Sequence, residues 1–251
     1  MTDVSKTILT LFAVTSALFA KSTPAEDYLI YGIPNYPPYS VYEEQGFSGR
    51  DVELINTLAE QMNIPIRFSP CDWIRCLQLA KSGRIDVLTS VNRVKEREAF
   101  LHFIEPAYSI SNIVFVVRKN EVTHYDSLLK FKETVIGREK GARLLDQVDH
   151  DSDIEKYESP DIVVLFKMLA SERLDAVMGG DVAMKAALHN SGYGEQLALA
   201  LYRVQVPSAY LAVARHSKRA EKHLNNLRAE MTRLHMTGQL ARFSHWQELK
   251  N

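Results

Sequence analysis

Arg97 follows the segment Ser90-Val91-Asn92-Arg93 at the distance of about one helical turn. A planar guanidinium there can hold a carboxylate through two parallel hydrogen bonds. Ser90 and Asn92 would add shorter donors at a strand end, where the next helix start also turns backbone N–H groups outward. Spacing alone favours a plainer reading, in which Arg97 pairs with Glu96, Glu105 or solvent. A second turn, Gly137-Arg138-Glu139-Lys140-Gly141-Ala142-Arg143, joins a strand to a helix further along. Gly141 would let the backbone approach a ligand there, and Arg143 or Glu139 would add charge. An ordinary loop between strand and helix accounts for the same residues. Asp181, after Gly179-Gly180, is placed either to accept a bond from a ligand ammonium or to cap the following helix. Tyr36, Tyr39 and Trp73 stand at strand ends or helix starts, where rings either wall small-ligand pockets or fill core.

Catalytic and metal motifs are scarce. The chain has no GxGxxG, P-loop, GxSxG or HExxH. Its eight histidines show no ligand spacing, and Asp149-His150-Asp151-Ser152-Asp153 lacks the glycine and distal glutamate of a calcium loop. No catalytic residue, metal or cofactor is expected. The two cysteines, Cys71 and Cys76, fit neither CxxC nor a zinc spacing. With Asp72 as N-cap they occupy the N′ and N4 positions, which a hydrophobic staple brings together. In an oxidising compartment a Cys71–Cys76 disulfide is the favoured reading, with a reduced staple as the alternative. Either device fixes the helix start that carries Trp73.

The compartment is read from the first residues. Residues 8–20, ILTLFAVTSALFA, are apolar and uncharged, with Lys6 before them and small residues after. That order suits a signal peptide over 1–22, with cleavage after Ser22 or Ala25. A buried N-terminal helix is the alternative. No other apolar run approaches the ~18 residues of a membrane span, so an exported, soluble mature chain is expected. A net charge of −1 gives no footprint for nucleic acid.

Strands are predicted near 28–33, 64–68, 85–90, 113–117, 135–137, 154–157 and 206–214. Helices are predicted over 50–62, 72–82, 142–148 and 182–188, then from Ser217 and from Thr237 to about 246. Val52, Ile55, Leu58 and Met62 keep the helical period in the first of them. Alternating strands and helices argue a parallel α/β sheet. Two stretches share one plan. Those beginning at Ile66 and at Ile154 each run strand, Ser-Pro, helix, polar turn, Ile-Asp or Leu-Asp, strand. This suggests two similar lobes, with chance convergence of a common unit as the alternative. Two lobes crossed more than once by the chain imply a ligand cleft between them.

In sum these segments resemble a known family, the bacterial extracellular solute-binding proteins of the polar amino-acid type. The resemblance rests on Tyr36-Pro37-Pro38-Tyr39, on Gly46-Phe47-Ser48-Gly49-Arg50-Asp51-Val52-Glu53-Leu54, and on Asp72-Trp73. It continues through Ser82-Gly83-Arg84-Ile85-Asp86-Val87, Glu96-Arg97, Phe103-Ile104-Glu105-Pro106-Ala107-Tyr108, and Gly238-Gln239-Leu240-Ala241 with Trp246. It implies the type II periplasmic-binding fold, α/β and two-lobed with two hinge crossings. The first lobe would comprise 26–108 plus 207–251, and the second 109–206. It also implies that Arg97 holds a ligand carboxylate, assisted by Ser90 and Asn92. Tyr36 and Trp73 would sandwich the ligand, and the turn Gly141 to Arg143 would contribute from the second lobe. The family's acidic ammonium partner aligns best with Gly180, one residue before Asp181. Lys95 replaces a usual proline, and Ile33 stands where many members are acidic.

The expected function is a periplasmic, monomeric binding protein, not an enzyme. It would deliver a small polar carboxylate solute, an amino acid or relative, to the permease of an ABC-type importer. The alternatives are an enzyme on the same fold, such as a dehydratase acting on a cyclic carboxylate, or a ligand-presenting subunit of a sensor. The absence of a membrane span after the last helix argues against a fused receptor.

Overall fold

A computed structural model describes residues 27–244. The leader expected over 1–22 and the terminal stretch containing Trp246 lie outside them. The chain begins with β1 (Leu29–Ile33), a hairpin of β2 (Val41–Glu43) and β3 (Gly46–Ser48), and α1 (Arg50–Met62). Next come β4 (Ile66–Pro70), α2 (Trp73–Lys81), β5 (Val87–Val91), α3 (Lys95–Glu98) and β6 (Leu101–Ile104). A second set follows: β7 (Ser109–Arg118), β8 (Val135–Glu139), α4 (Asp146–Asp149), β9 (Glu155–Ser159), α5 (Ile162–Ala170), β10 (Ala176–Gly180), α6 (Asp181–Asn190) and β11 (Leu197–Ser208). The chain then returns through β12 (Tyr210–Ala214), α7 (Lys218–Met236) and α8 (Ala241–Ser244).

Two five-stranded sheets result, in the orders β4-β1-β5-β12-β6 and β11-β7-β10-β8-β9. Read from β9, the second repeats the first. In each, the strands of the repeated segment, β4 and β5 or β9 and β10, flank an earlier strand and run parallel to it. The repeat seen in the sequence is therefore the same βαβ unit in the same place in both sheets. The sheets are mixed, not parallel as alternation suggested. The returning strand β12 runs antiparallel to β5 and β6, and β7 runs antiparallel to β10 and β11.

Each sheet is buried on both faces. Tyr31, Ile33 and Val87 of the first sheet pack with Val52, Ile55 and Leu58 of α1 and Leu227, Met231 and Leu234 of α7. On the opposite face Leu88 and Val91 meet Cys76 and Ala80 of α2. The second sheet is covered likewise, by Phe131 and Val148 on one face and by Leu165, Phe166 and Leu169 on the other. Most helix ends read from sequence hold. Asp72 accepts from the Arg75 N–H, Ser217 accepts from the Ala220 N–H, and Gly83 takes a left-handed φ of +69° after α2.

Three expected elements differ. The helix expected over 142–148 is only α4, because the Asp149 carboxylate takes the Leu144 and Leu145 N–H groups and holds a loop. The strand expected over 206–214 is two strands, broken at Ala209, whose φ is +61°. Thr237 closes α7, with its hydroxyl on the Arg233 carbonyl, and does not open the last helix. The sequence reading also lacked the β2–β3 hairpin, β6, and β11 beyond its last residues.

The chain crosses between sheets twice, at Tyr108-Ser109 and at Ser208-Ala209. The crossings lie side by side, with Ser109 opposite Ser208 and the Tyr108 N–H on the Ala209 carbonyl.

Candidate ligand-binding cleft

The strand ends β1, β5, β8 and β10 converge where the two sheets face each other. A cavity of about 90 Å³ lies there. Tyr36, Trp73, Ser90, Asn92, Arg97 and Arg143 all line it. Gly141 and Asp181 do not. The Gly141 carbonyl accepts from Arg97 Nη2 at 3.1 Å, so the glycine stands behind the arginine. Asp181 is the first residue of α6, not its cap. Its carboxylate accepts from the Val182 N–H and from Asn112 Nδ2, with Lys185 Nζ 4.0 Å away.

Arg97 is buried, at 5% exposure, and no carboxylate pairs with it among the described residues. Nη1 donates to the Asn92 carbonyl at 2.9 Å, and the guanidinium lies 5.3 Å from the Trp73 ring centroid. Burial, and then the Arg143 charge, pull its pKa down to about 10, so it stays protonated at neutral pH. A buried cation held on carbonyls and beside a second cation is an anion-seeking group.

Contacts across the cleft come from the same residues. Asn92 Nδ2 donates to the Arg143 carbonyl at 2.9 Å. Gly141, at φ +76°, brings its backbone against Ile74 and Trp73 at the start of α2. The Cys71–Cys76 disulfide, with Cα atoms 5.4 Å apart, clamps that start. The opposite loop is pinned by charge. Arg138 binds Asp149 and Glu158, while Glu158 also takes Arg143 Nη1 and the Gly141 N–H. The acidic run at 149–153 is thereby used up, since Asp151 and Asp153 both hold Lys132.

A methyl group at position 141 would meet Ile74 Cδ1 only when the lobes touch, and it would strain a left-handed backbone at all times. Gly141→Ala is therefore expected to weaken solute affinity about tenfold by calorimetry, from overpacking between the lobes. An unchanged affinity would separate this contact from binding.

Sequence reasoning missed the cavity floor. Arg50 and Asp51, at 3% and 1% exposure, pair at 2.9 Å. Ser90 Oγ accepts from Arg50 Nη2 at 2.6 Å and donates to Asp51 Oδ2 at 2.5 Å. The Tyr108 hydroxyl donates to Asp51 Oδ1 at 3.0 Å and accepts from the Ser90 N–H at 2.7 Å. Arg50 also stacks 4.0 Å from the Tyr39 ring. The network ties α1, β5 and the first crossing together, and it occupies the Ser90 side chain and N–H. Glu139 was also underrated. It lines the cavity, and burial raises its pKa.

Two α/β lobes of one plan, joined by paired crossings around a cleft with a buried arginine, define a two-lobed solute-binding fold of the periplasmic type. Residues 29–246 match the bacterial extracellular solute-binding proteins, family 3, and the chain belongs to that family. A probable histidine-binding protein of Campylobacter jejuni is 22% identical over 156 residues, 62% of this chain and 60% of that protein. The chain spans less than two thirds of the length of the curated relatives it matches. Among solved structures, an amino acid ABC transporter substrate-binding protein from Streptococcus pneumoniae, bound to L-arginine, is similar. It is 21% identical with a TM-score of 0.69, over 87% of this chain and 92% of that one. A histidine kinase sensor domain with similarity to periplasmic binding proteins is 20% identical with a TM-score of 0.71, over 86% and 93%. The fold is thus the type II periplasmic-binding fold.

Proposed function

We propose that this protein is a periplasmic binding protein whose two lobes, joined at Tyr108-Ser109 and at Ser208-Ala209, close on a small carboxylate-bearing solute. The solute is an amino acid or a relative of one, and it is handed to the permease of an ABC-type importer. The observation that carries this reading is Arg97, a buried cation in the cleft with no acidic partner among the described residues. A bound carboxylate would return to the guanidinium the charge compensation that burial removes. Tyr36 and Trp73 would wall the solute, Asn92 and Arg143 would bridge the lobes over it, and hinge closure would be the mechanism. The relatives named for histidine or bound to arginine support an amino-acid-like solute.

The sensor-domain likeness supports a second reading, in which closure is read by a signalling partner. The binding chemistry is the same in both. Catalysis has less support. Glu139 is a cavity carboxylate with a raised pKa, yet its side chain has no hydrogen-bonded acid or base among the described residues.

A thermal-shift series with free amino acids and their carboxamides tests the reading. Acids are expected to raise the melting temperature with concentration and amides to leave it unmoved. Equal shifts from both would remove the carboxylate from recognition.

A further inference from the structure

A second cavity, of about 360 Å³, adjoins the first between the Asn35–Pro37 turn and helices α5 and α6. The two share Tyr36, Glu139, Ala142, Leu144 and Gly180 as lining residues. The first cavity alone falls short of the ~300–1,000 Å³ usual for small-ligand pockets, whereas the second lies within that range. The chemistry of the walls changes along the way. Arg50, Arg97 and Arg143 line the first, whereas no arginine or lysine lines the second, where Ile162, Met178, Ala183, Met184 and Ala187 stand with Asn35, Asp161 and Asn190.

Position 180, which borders both cavities, has no side chain. Gly180 has φ −72°, a conformation any residue adopts, so backbone geometry does not demand glycine there. A Cβ at that point would meet only the Tyr36 hydroxyl, at 3.6 Å, and a longer side chain would project between the cavities. Two polar groups stand at the same boundary. Neither the Tyr36 hydroxyl nor the Glu139 carboxylate has a hydrogen-bond partner among the described residues. Burial raises the pKa of both, and a donor or cation placed beside Glu139 would reverse that for the carboxylate.

Resting on the proposed function, we propose that the solute is elongated: its carboxylate meets Arg97, an amine beside it meets Glu139, and an unbranched apolar tail passes Gly180 into the second cavity. Glu139 thereby serves as the ammonium acceptor in place of a carboxylate at position 180. The methionines and alanines on this wall suit a flexible aliphatic chain better than a rigid ring.

Calorimetric titration with alanine, norvaline, norleucine and 2-aminooctanoate tests this. Affinity is expected to rise about fourfold for each added methylene. In Ala187→Phe, which fills the second cavity, that rise is expected to flatten. A rise kept in Ala187→Phe would place the tail elsewhere and overturn the inference. Flat affinity across the series in the unaltered protein would overturn the tail and leave the carboxylate reading standing. Binding of none, long or short, would contradict both. The unaltered protein is also expected to prefer norleucine over hexanoate, and Glu139→Gln to reduce that preference about tenfold. An unchanged preference would remove Glu139 from recognition of the amine.

Discussion

Arg97→Ala is expected to weaken solute binding by roughly 30-fold to several thousand-fold, the range for truncating one partner of a buried charge pair. Arg97 also donates to the Asn92 and Gly141 carbonyls, so part of such a loss would come from the cleft contact it makes with the second lobe. The contribution to recognition is isolated by the ligand. The unaltered protein is expected to discriminate a free carboxylate from its carboxamide, and Arg97→Ala to bind the two alike. Arg97→Lys keeps the charge but loses the fork, and is expected to fall between. A variant that still discriminates acid from amide would move the carboxylate site to another residue, with Arg143 the nearest candidate.

Asp51→Ala is expected to destabilise the protein by about 3–5 kcal/mol, because it leaves the Arg50 charge buried without its partner. Asp51 accepts from Arg50, Ser90 and Tyr108 together, and the last of these begins the crossing between lobes. The effect is read as a lower denaturation midpoint. Loss of an exposed pair such as Arg93–Glu98 is expected to move that midpoint little. A midpoint for Asp51→Ala within the surface-pair range would mean that solvent reaches Arg50 and that this network does not hold the floor of the cleft together.

The outline of this architecture was legible where local rules govern. Val52, Ile55 and Leu58 recur with the helical period because one face of α1 lies on the first sheet. Asp72 and Ser217 announce helix starts because their side chains accept from N–H groups three residues on. The doubled strand–Ser-Pro–helix–strand pattern was legible because each copy must cover its own sheet. β11 had a signal that went unused: Tyr202, Val204 and Val206 alternate onto the core. A register shift between Leu199 and Arg203 interrupts its pairing with β7 and blurs that alternation.

The site was legible in part. Spacing put Tyr36, Trp73, Ser90, Asn92, Arg97 and Arg143 at strand ends or helix starts without choosing a role for them, and the family resemblance put them in the cleft that they line. The Arg50–Asp51 pair was not legible from spacing, since adjacent helical residues do not normally face each other. Here they meet at the first turn of α1, where Ser90 and Tyr108, 39 and 57 residues from Asp51, complete the network. Asp181 shows the opposite case. A carboxylate beside a strand end looked available for a ligand, but Asn112, 69 residues away, engages it from β7. The short α4 has the same cause, a distant partner. Arg138 fixes Asp149, which then takes the N–H groups a longer helix would have used.

On the proposed function, the cleft recognises its solute through a carboxylate. This recognition is tested most directly by calorimetric titration of the unaltered protein with one matched pair, the acid that shifts its melting temperature most and the carboxamide of that acid. Saturable binding of the acid is expected, with affinity for the amide lower by roughly 30-fold or more, because the amide leaves a buried cation without its counter-ion. Equal affinity for acid and amide would contradict recognition through the carboxylate.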